Sequence, residues 1–404
     1  MHSVAKISGV SAGVAGAAAT FVGVGLGRFA YTPIIPAMVG AGWFTAPEAA
    51  YLGAANLLGY FIGAVAADRL AHRFGAMQVI LAAFVVVTAS LFMCAWPSPY
   101  HWFAGWRLAA GIGGGVLMVV GGSTAITAVP AEQRARVGSF VFTGVGLGIL
   151  VSAVAVPALL RTGLSATWLG IAAVATLITI CVWRRWIHVG RHMAASSTAR
   201  EQGGSPAPAL GLAVALTLGA YALEAIGFIP HTIFWVDYLA RELGRGMDVA
   251  SIYWAVFGIG ATAGALLSGE LARHIGWQRG FMTALLLKAA AVALPLLSAS
   301  WLALGLSSFI VGALVPGMVV FASGRLSELV GPSAHRRVWG YATAAFATAQ
   351  ALAGYGFAGL FSLTGSYSMH FAIGAAALAV GAVLVAAPRG SNRLLTRHPA
   401  QTKE

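Results

Sequence analysis

The sequence predicts an all-α membrane protein of twelve spanning helices, arranged as two pseudo-symmetric six-helix bundles. Three observations carry that prediction. Of 404 residues, 59% are hydrophobic and only 9% charged, against about 25% charged in a soluble domain, so these residues cannot furnish a water-solvated surface. Apolar runs of about 20 residues, each matching the thickness of a bilayer core, recur along the whole length. The two halves of the chain also resemble each other at an offset close to 200 residues.

Taken in order, the first run, 10–38, follows Lys6, and the second, 48–67, ends at the segment holding Arg69 and Arg73. Runs 76–96 and 100–128 return the chain to Arg134 and Arg136, and runs 136–160 and 164–186 turn at Arg161 and return at Arg184, Arg185 and Arg191. In the second half, runs 210–239 and 249–269 flank Arg241 and Arg245 and come back to Arg273 and Arg279. Runs 279–299 and 301–324 end at Arg325, and runs 337–362 and 367–387 lie between Arg336/Arg337 and Arg389, Arg393, Arg397 and Lys403. With the N-terminus inside, and Arg200 counted in the middle segment, 18 of 24 Lys and Arg fall in cytoplasmic segments. Three lie outside and three, Arg28, Arg107 and Lys288, lie within spans. That bias places both termini in the cytoplasm, with the chain multi-pass in the inner membrane. The formal charge of +13 is therefore a topology signal, and no nucleic-acid partner is expected.

The first 39 residues could pass for a signal peptide, but their apolar stretch exceeds the usual h-region of about 7–15 residues. They are read as an uncleaved first helix. Cys94 and Cys181 fall inside spans without metal-site spacing, so no metal, disulfide or cofactor is expected.

The repeat is visible in short stretches. "GAVAADRLAHRFGA" at 63–76 aligns with "GALLSGELARHIGW" at 264–277, and "GRFAYTP" at 27–33 with "GFIPHTI" at 227–233. Trp102 aligns with Trp301, and "RAR" at 134–136 falls near "HRR" at 335–337. This pattern predicts an N-terminal bundle over 1–187, a cytoplasmic linker over 188–209, a C-terminal bundle over 210–388 and a tail over 389–404. Parallel repeats about an axis along the membrane normal occur in one transporter class.

The glycines near Arg28 and at 111–115 suggest a dinucleotide loop, but that fingerprint needs a preceding strand and a βαβ unit, which no part of this pattern offers. Gly23/Gly27, Gly59/Gly63, Gly111/Gly115, Gly144/Gly148 and Gly260/Gly264 are spaced four apart, which lets helix backbones approach closely in lipid. Helices 3, 6, 9 and 12 carry fewer such pairs and are expected at the periphery.

Arg28 needs a partner, a wet cavity or an anionic ligand, because a charge near the bilayer centre costs at least about 2.5–3.5 kcal/mol. Counted from the outer helix ends, Arg28 lies roughly 15 Å deep and Arg107 roughly 10 Å. Either the pair recognises an anionic or polar substrate, or one or both bond backbone carbonyls or a carboxylate. Glu224, the acidic residue deep within a span, lies on helix 7 one turn before the position matching Arg28. Its readings are a proton carrier, a salt bridge to Arg28 or Arg107, and a ligand for a cationic group. His231, two turns further on, is a proton relay or a hydrogen-bonded packing residue. Lys288 is expected to snorkel to the cytoplasmic face. Tyr31, Asn56, Tyr60, Tyr221, Tyr253, Trp254 and Gln350 could line a pocket with aromatic walls and a few polar anchors, or simply pack. Pro33, Pro36 and Pro230 break helices 1 and 7 at equivalent places.

With these residues in view, the chain resembles the major facilitator superfamily. "DRLAHR", Asp68 to Arg73, is similar to the superfamily's Asp-Arg-x-Gly-Arg-Arg motif between helices 2 and 3, with Ala71 for Gly and His72 for the first Arg of the closing pair. The second copy, "GELARH", has Gly269 in place of the Asp, with Glu270 beside it. Arg107 followed by "LAAGIGGG" is similar to the helix-4 pattern. Helix 5 has Gly144, Gly146 and Gly148 but lacks the Gly-Pro pair common in drug/proton antiporters. "GLGRFAYTPIIPAM" looks like the helix-1 signature of the YbfB/YjiJ-type subfamily, and the resemblance covers essentially the whole chain. It implies that Asp68, Arg69 and Arg73 form an inner charge cluster steadying the outward-facing state; the alternative is positive-inside charge alone. It narrows mechanism more than cargo.

The resulting expectation is a monomeric, proton-coupled secondary transporter of a small organic solute, anionic or polar, working by alternating access. The rivals are proton-driven efflux of drug-like aromatic compounds and a membrane sensor that binds without transport. No nucleophile–base pair, metal cluster or phosphate loop stands out, so an enzyme is not expected.

Overall fold

The computed structural model describes residues 8–196 and 211–386. Twelve helices among them are long and apolar enough to cross a membrane: α1 (Gly9–Tyr31), α2 (Ala46–Phe74), α3 (Ala76–Met93), α4 (Tyr100–Thr127), α5 (Ala131–Leu160), α6 (Leu164–Gly190), α7 (Leu212–Glu242), α8 (Gly246–Ile275), α9 (Trp277–Leu297), α10 (Trp301–Gly331), α11 (Arg337–Thr364) and α12 (Tyr367–Ala386). No strand occurs among the described residues. Each span expected from hydropathy is present. Helical backbone continues past α6 to Ser196, into the first nine residues of the expected linker. The rest of that linker and the tail over 389–404 lie outside the described residues.

Helix boundaries follow local chemistry. Thr45 caps α2 in a capping box with Glu48, each side chain bonding the other's backbone N–H, which satisfies donors the first turn leaves free. Gly75 and Gly276 terminate α2 and α8 at φ 85° and 79°, a left-handed region that costs glycine nothing. They are 201 residues apart, the offset of the sequence repeat.

Packing carries the same repeat. A methyl added at Gly59 or Gly63 of α2 would strike the carbonyl of Leu108 or Ile112 on α4, and one at Gly111 would strike that of Asn56. On α8, Gly260 and Gly264 meet the carbonyls of Phe309 and Ala313 on α10, and Gly312 meets that of Phe257. All six positions and all six carbonyls are related by +201. These spaced glycines are therefore backbone-to-backbone seams, α2 on α4 and α8 on α10, of the kind small residues permit in lipid.

Contacts between the halves concentrate away from the basic helix ends. Thr32 donates to the carbonyl of Thr232 at 2.5 Å, Trp254 of α8 donates to Ser152 of α5 at 3.1 Å, and Tyr51 of α2 packs on Tyr355 of α11 at 6.1 Å. At the opposite, basic end the halves separate around a cavity of about 1180 Å³. Spans α3, α6 and α12 have 39% of their most apolar window buried against 67% for α1 and α4, in keeping with peripheral positions. Span α11 is also 39% buried, but several of its residues, Trp339 and Phe346 among them, face the cavity.

Candidate functional site

Two broken helices build the closed end of the cavity. In α1 the backbone widens to π-helical turns over Phe21–Leu26 and tightens to a 3-10 turn over Phe29–Tyr31. The Tyr31 N–H, which an unbroken helix would give to Gly27 O, bonds Arg28 O, and the Thr32 N–H bonds Phe29 O, so the Gly27 carbonyl is left without a helical partner. Side chains take that role. Arg107 donates to Gly27 O at 2.9 Å, and Asn56 reaches Gly27 O at 3.4 Å and Arg107 O at 3.0 Å. The Arg107 guanidinium also lies over the Tyr31 ring at 4.3 Å, and Tyr31 donates to Ala49 O at 2.8 Å. In α7, Pro230 opens a π-helical stretch, Pro230–Phe234, at the place the repeat equates with the 3-10 turn of α1.

Arg28 sits at the break and lines the cavity. One nitrogen donates to Gln350 of α11 at 3.0 Å. The guanidinium carbon lies 5.0 Å from the Phe29 ring, 6.0 Å from Tyr60 and 5.8 Å from Phe228. Its other two nitrogens and the amide nitrogen of Gln350 have no hydrogen-bond acceptor. Glu224 also lines the cavity. Its carboxylate is bonded by Lys288 of α9, whose ammonium lies 4.4 Å from the Phe228 ring. Lys288 is 0% exposed. The expectation that it snorkels to the cytoplasmic face is thus corrected: the α9 face carrying Lys288 turns toward α7, where a carboxylate is in reach and water is not.

Nine of the expected site residues fall into two sets, and the other five stand apart. Arg28, Tyr60, Tyr221 and Glu224 border the cavity, with Asp68 at its mouth, and Gln350 stands behind Arg28. Tyr31, Asn56 and Arg107 are gathered around the Gly27 carbonyl instead. Trp254 stacks on Phe257 at 4.8 Å and packs on Phe29 at 6.1 Å. Tyr253 packs on Trp301 in a tilted pair at 5.7 Å. His231 is fully buried, bonds Ser307 at 2.8 Å and stacks on Trp235 at 4.4 Å. Since Ser307 gives its own proton to Ala291 O, the His231 Nε2 is the donor in that bond. Arg69 and Arg73 are exposed, with Arg73 over the Phe74 ring at 5.3 Å, and no ion pair joins either to Asp68 among the described residues. In the second copy Glu270 pairs with Arg273, and with His274 at 3.1 Å.

Three groups carry information that the sequence pattern did not isolate. Lys288 is the partner of Glu224. Asp237, buried near the far end of α7, accepts from Tyr367 of α12 and lies 3.5 Å from Arg241. Tyr221, Phe346 and Trp339 form one aromatic wall of the cavity, with Tyr221 4.7 Å from Phe346 and 5.6 Å from Trp339.

Residues 20–386 match a family described as "Uncharacterised MFS-type transporter YbfB". Over 241 residues the chain is 25% identical to a Haemophilus influenzae protein named "Putative metabolite transport protein", a match spanning 56% of this chain and 58% of that relative. A crystal structure of a D-xylose-proton symporter superposes with a TM-score of 0.72 at 16% identity, covering 93% of this chain and 96% of that one. At that identity the likeness is one of fold.

Proposed function

The chain belongs to this YbfB-type family of the major facilitator superfamily, a family of multi-pass membrane transporters, and from that premise we propose a secondary transporter that carries a small organic anion by alternating access, coupled to protons. One observation carries the reading. Arg28 stands at the closed end of a one-sided cavity without a carboxylate partner, because the nearby acid, Glu224, is committed to Lys288. A buried charge left unpaired is costly, and an anion entering the cavity offsets that cost.

The excess of basic residues assigns the cavity mouth to the cytoplasm and both termini with it. The open cavity then belongs to the inward-facing state, with Thr32–Thr232, Trp254–Ser152 and Tyr51–Tyr355 closing the outer side. An unpaired Asp68 beside Arg69 and Arg73 fits that state, since the cluster these residues form by resemblance belongs to the opposite one. The expected bundles over 1–187 and 210–388 are the bodies that rock about the site.

Glu224 is the proton carrier in this reading. When it takes a proton, Lys288 loses its counter-charge and the cavity head becomes more positive, so anion binding strengthens. By linkage the anion favours the proton to the same extent. Anion and proton therefore travel together, which is symport. The metabolite transport named for the Haemophilus influenzae relative is consistent with an organic cargo, and the proton named for the structural neighbour with coupling.

Proteoliposomes holding an imposed pH gradient and a panel of radiolabelled organic acids test the proposal. Accumulation driven by the gradient is expected for at least one acid, and Glu224→Gln should lose accumulation while keeping counterflow exchange. Binding without flux would favour a sensor. Full gradient-driven accumulation in the variant would remove Glu224 from the coupling.

A further inference from the structure

We infer that the anion is an aromatic carboxylate with a single planar ring next to the carboxyl group. This rests on the transport reading above and adds the body of the substrate to its charge. Two neighbouring features of the cavity specify it.

The first is a set of donors without acceptors. Two nitrogens of Arg28 and the Gln350 amide nitrogen bond nothing, while Arg28 and Gln350 are already held together at 3.0 Å. A carboxylate supplies acceptors and no donors, so it complements this group, and a guanidinium binds it in fork geometry. To reach it, the guanidinium turns out of the rings of Phe29, Phe228 and Tyr60 toward the cavity.

The second is the placement of the aromatic wall. Phe346 lies four residues before Gln350 on α11, so the two share a face about one turn apart, about 6 Å along the axis. Tyr221 lies three residues before Glu224 on α7 and packs against Phe346 at 4.7 Å. A carboxylate drawn to Arg28 therefore enters a cavity that Phe346 and Tyr221 also line, with Phe346 one turn from the glutamine that holds Arg28. Offset and edge-on ring contacts are favourable beyond area burial. A polyol is poorly served at the same depth. The unbonded nitrogens of Arg28 and Gln350 are donors only, so they serve hydroxyl oxygens but leave the hydroxyl protons facing the rings of Phe346 and Tyr221 without an acceptor.

Calorimetric titration of the purified chain with benzoate, cyclohexanecarboxylate and benzamide tests the inference. Benzoate should bind, cyclohexanecarboxylate should bind roughly two- to tenfold more weakly for loss of ring stacking, and benzamide should not bind. Phe346→Leu, with unchanged size-exclusion behaviour, should weaken benzoate to a similar degree and leave cyclohexanecarboxylate unaffected. Equal affinity of benzoate and cyclohexanecarboxylate, or no benzoate binding, overturns the inference. If an aliphatic acid is then accumulated in an Arg28-dependent way, the transport reading stands without the aromatic one. If no organic acid is bound or accumulated, both fall.

Discussion

Glu224→Gln, Lys288→Met and the two together form a double-mutant cycle across the ion pair that joins α7 to α9. The partners are 2% and 0% exposed, so neither has water to replace the other. In Glu224→Gln the ammonium keeps the Phe228 ring at 4.4 Å. A cation–π contact is worth about 2 kcal/mol when desolvated, whereas removing one member of a buried pair costs about 3–5 kcal/mol. The ring does not make up the difference. Lys288→Met leaves the carboxyl group without its partner and is destabilised as well. The double variant buries two neutral side chains of similar volume, and such replacements are often neutral or stabilising. Thermal unfolding in detergent, followed by monodisperse size-exclusion recovery, reads the cycle. At about 2–4 °C per kcal/mol for a unit the size of one half, Glu224→Gln should lose roughly 10 °C, and the double variant should recover most of it. A double variant that loses the sum of the two single effects would refute a paired, buried origin for these charges, since independent sites add to within about 0.5 kcal/mol.

The remaining predictions concern the repeat and the orientation. Gly63→Leu and Gly264→Leu should each reduce the yield of folded protein severely, because the new side chain meets the carbonyl of Ile112 or Ala313; expression followed by fluorescence size-exclusion checks it, with Gly269→Leu, which has open space, as the tolerant control. Ser123→Cys, placed at the cavity wall in a Cys181→Ser background, should react with an impermeant maleimide in inside-out vesicles and not in right-side-out ones. The reverse pattern would invert the proposed topology.

The spans were legible because lipid leaves no alternative. A helix that crosses must be apolar for its full length, and charge collects at its ends, so hydropathy alone located all twelve. The depth of Arg28 was legible for the same reason, but the break beside it was not, since its glycines read as helix packing and the break was expected at Pro33 and Pro36. Partnership was not legible either. Lys288 and Glu224 are separated by 64 residues and Arg28 and Gln350 by 322, and nothing local encodes the rotation of α9 about its axis or the height of α11 beside α1. Snorkelling was the cheaper reading of Lys288 only because its carboxylate partner was invisible. Arg28 and Arg107 looked equivalent by depth, yet the break in α1 separates them. It exposes the Gly27 carbonyl on the side of α4, which engages Arg107, and leaves Arg28 on the side of the cavity.

The same breaks link the charged groups to the closure of the far end. Arg28 precedes Phe29, and Glu224 precedes Phe228 by one turn, so each charge shares a helix turn with a plug residue. Phe29 and Phe228 meet edge to face across the halves at 6.3 Å, with Trp254 and Phe257 behind Phe29. Both rings also face the Arg28 guanidinium, and Phe228 faces the Lys288 ammonium. In the proposed cycle, an anion that draws Arg28 out of this cage removes a cation from between the two rings. A proton on Glu224 likewise frees Lys288 from its fixed geometry beside Phe228. Each ligand thus acts on contacts that belong to the closed plug, and a ligand shifts a conformational equilibrium only through such differential contacts. The anion acts on both rings through Arg28, and the proton adds a second change at Phe228 through Lys288, so the plug is loosened most when both ligands are bound. Coupling then follows from two aromatic residues whose packing depends on two charges, without a separate device to transmit it.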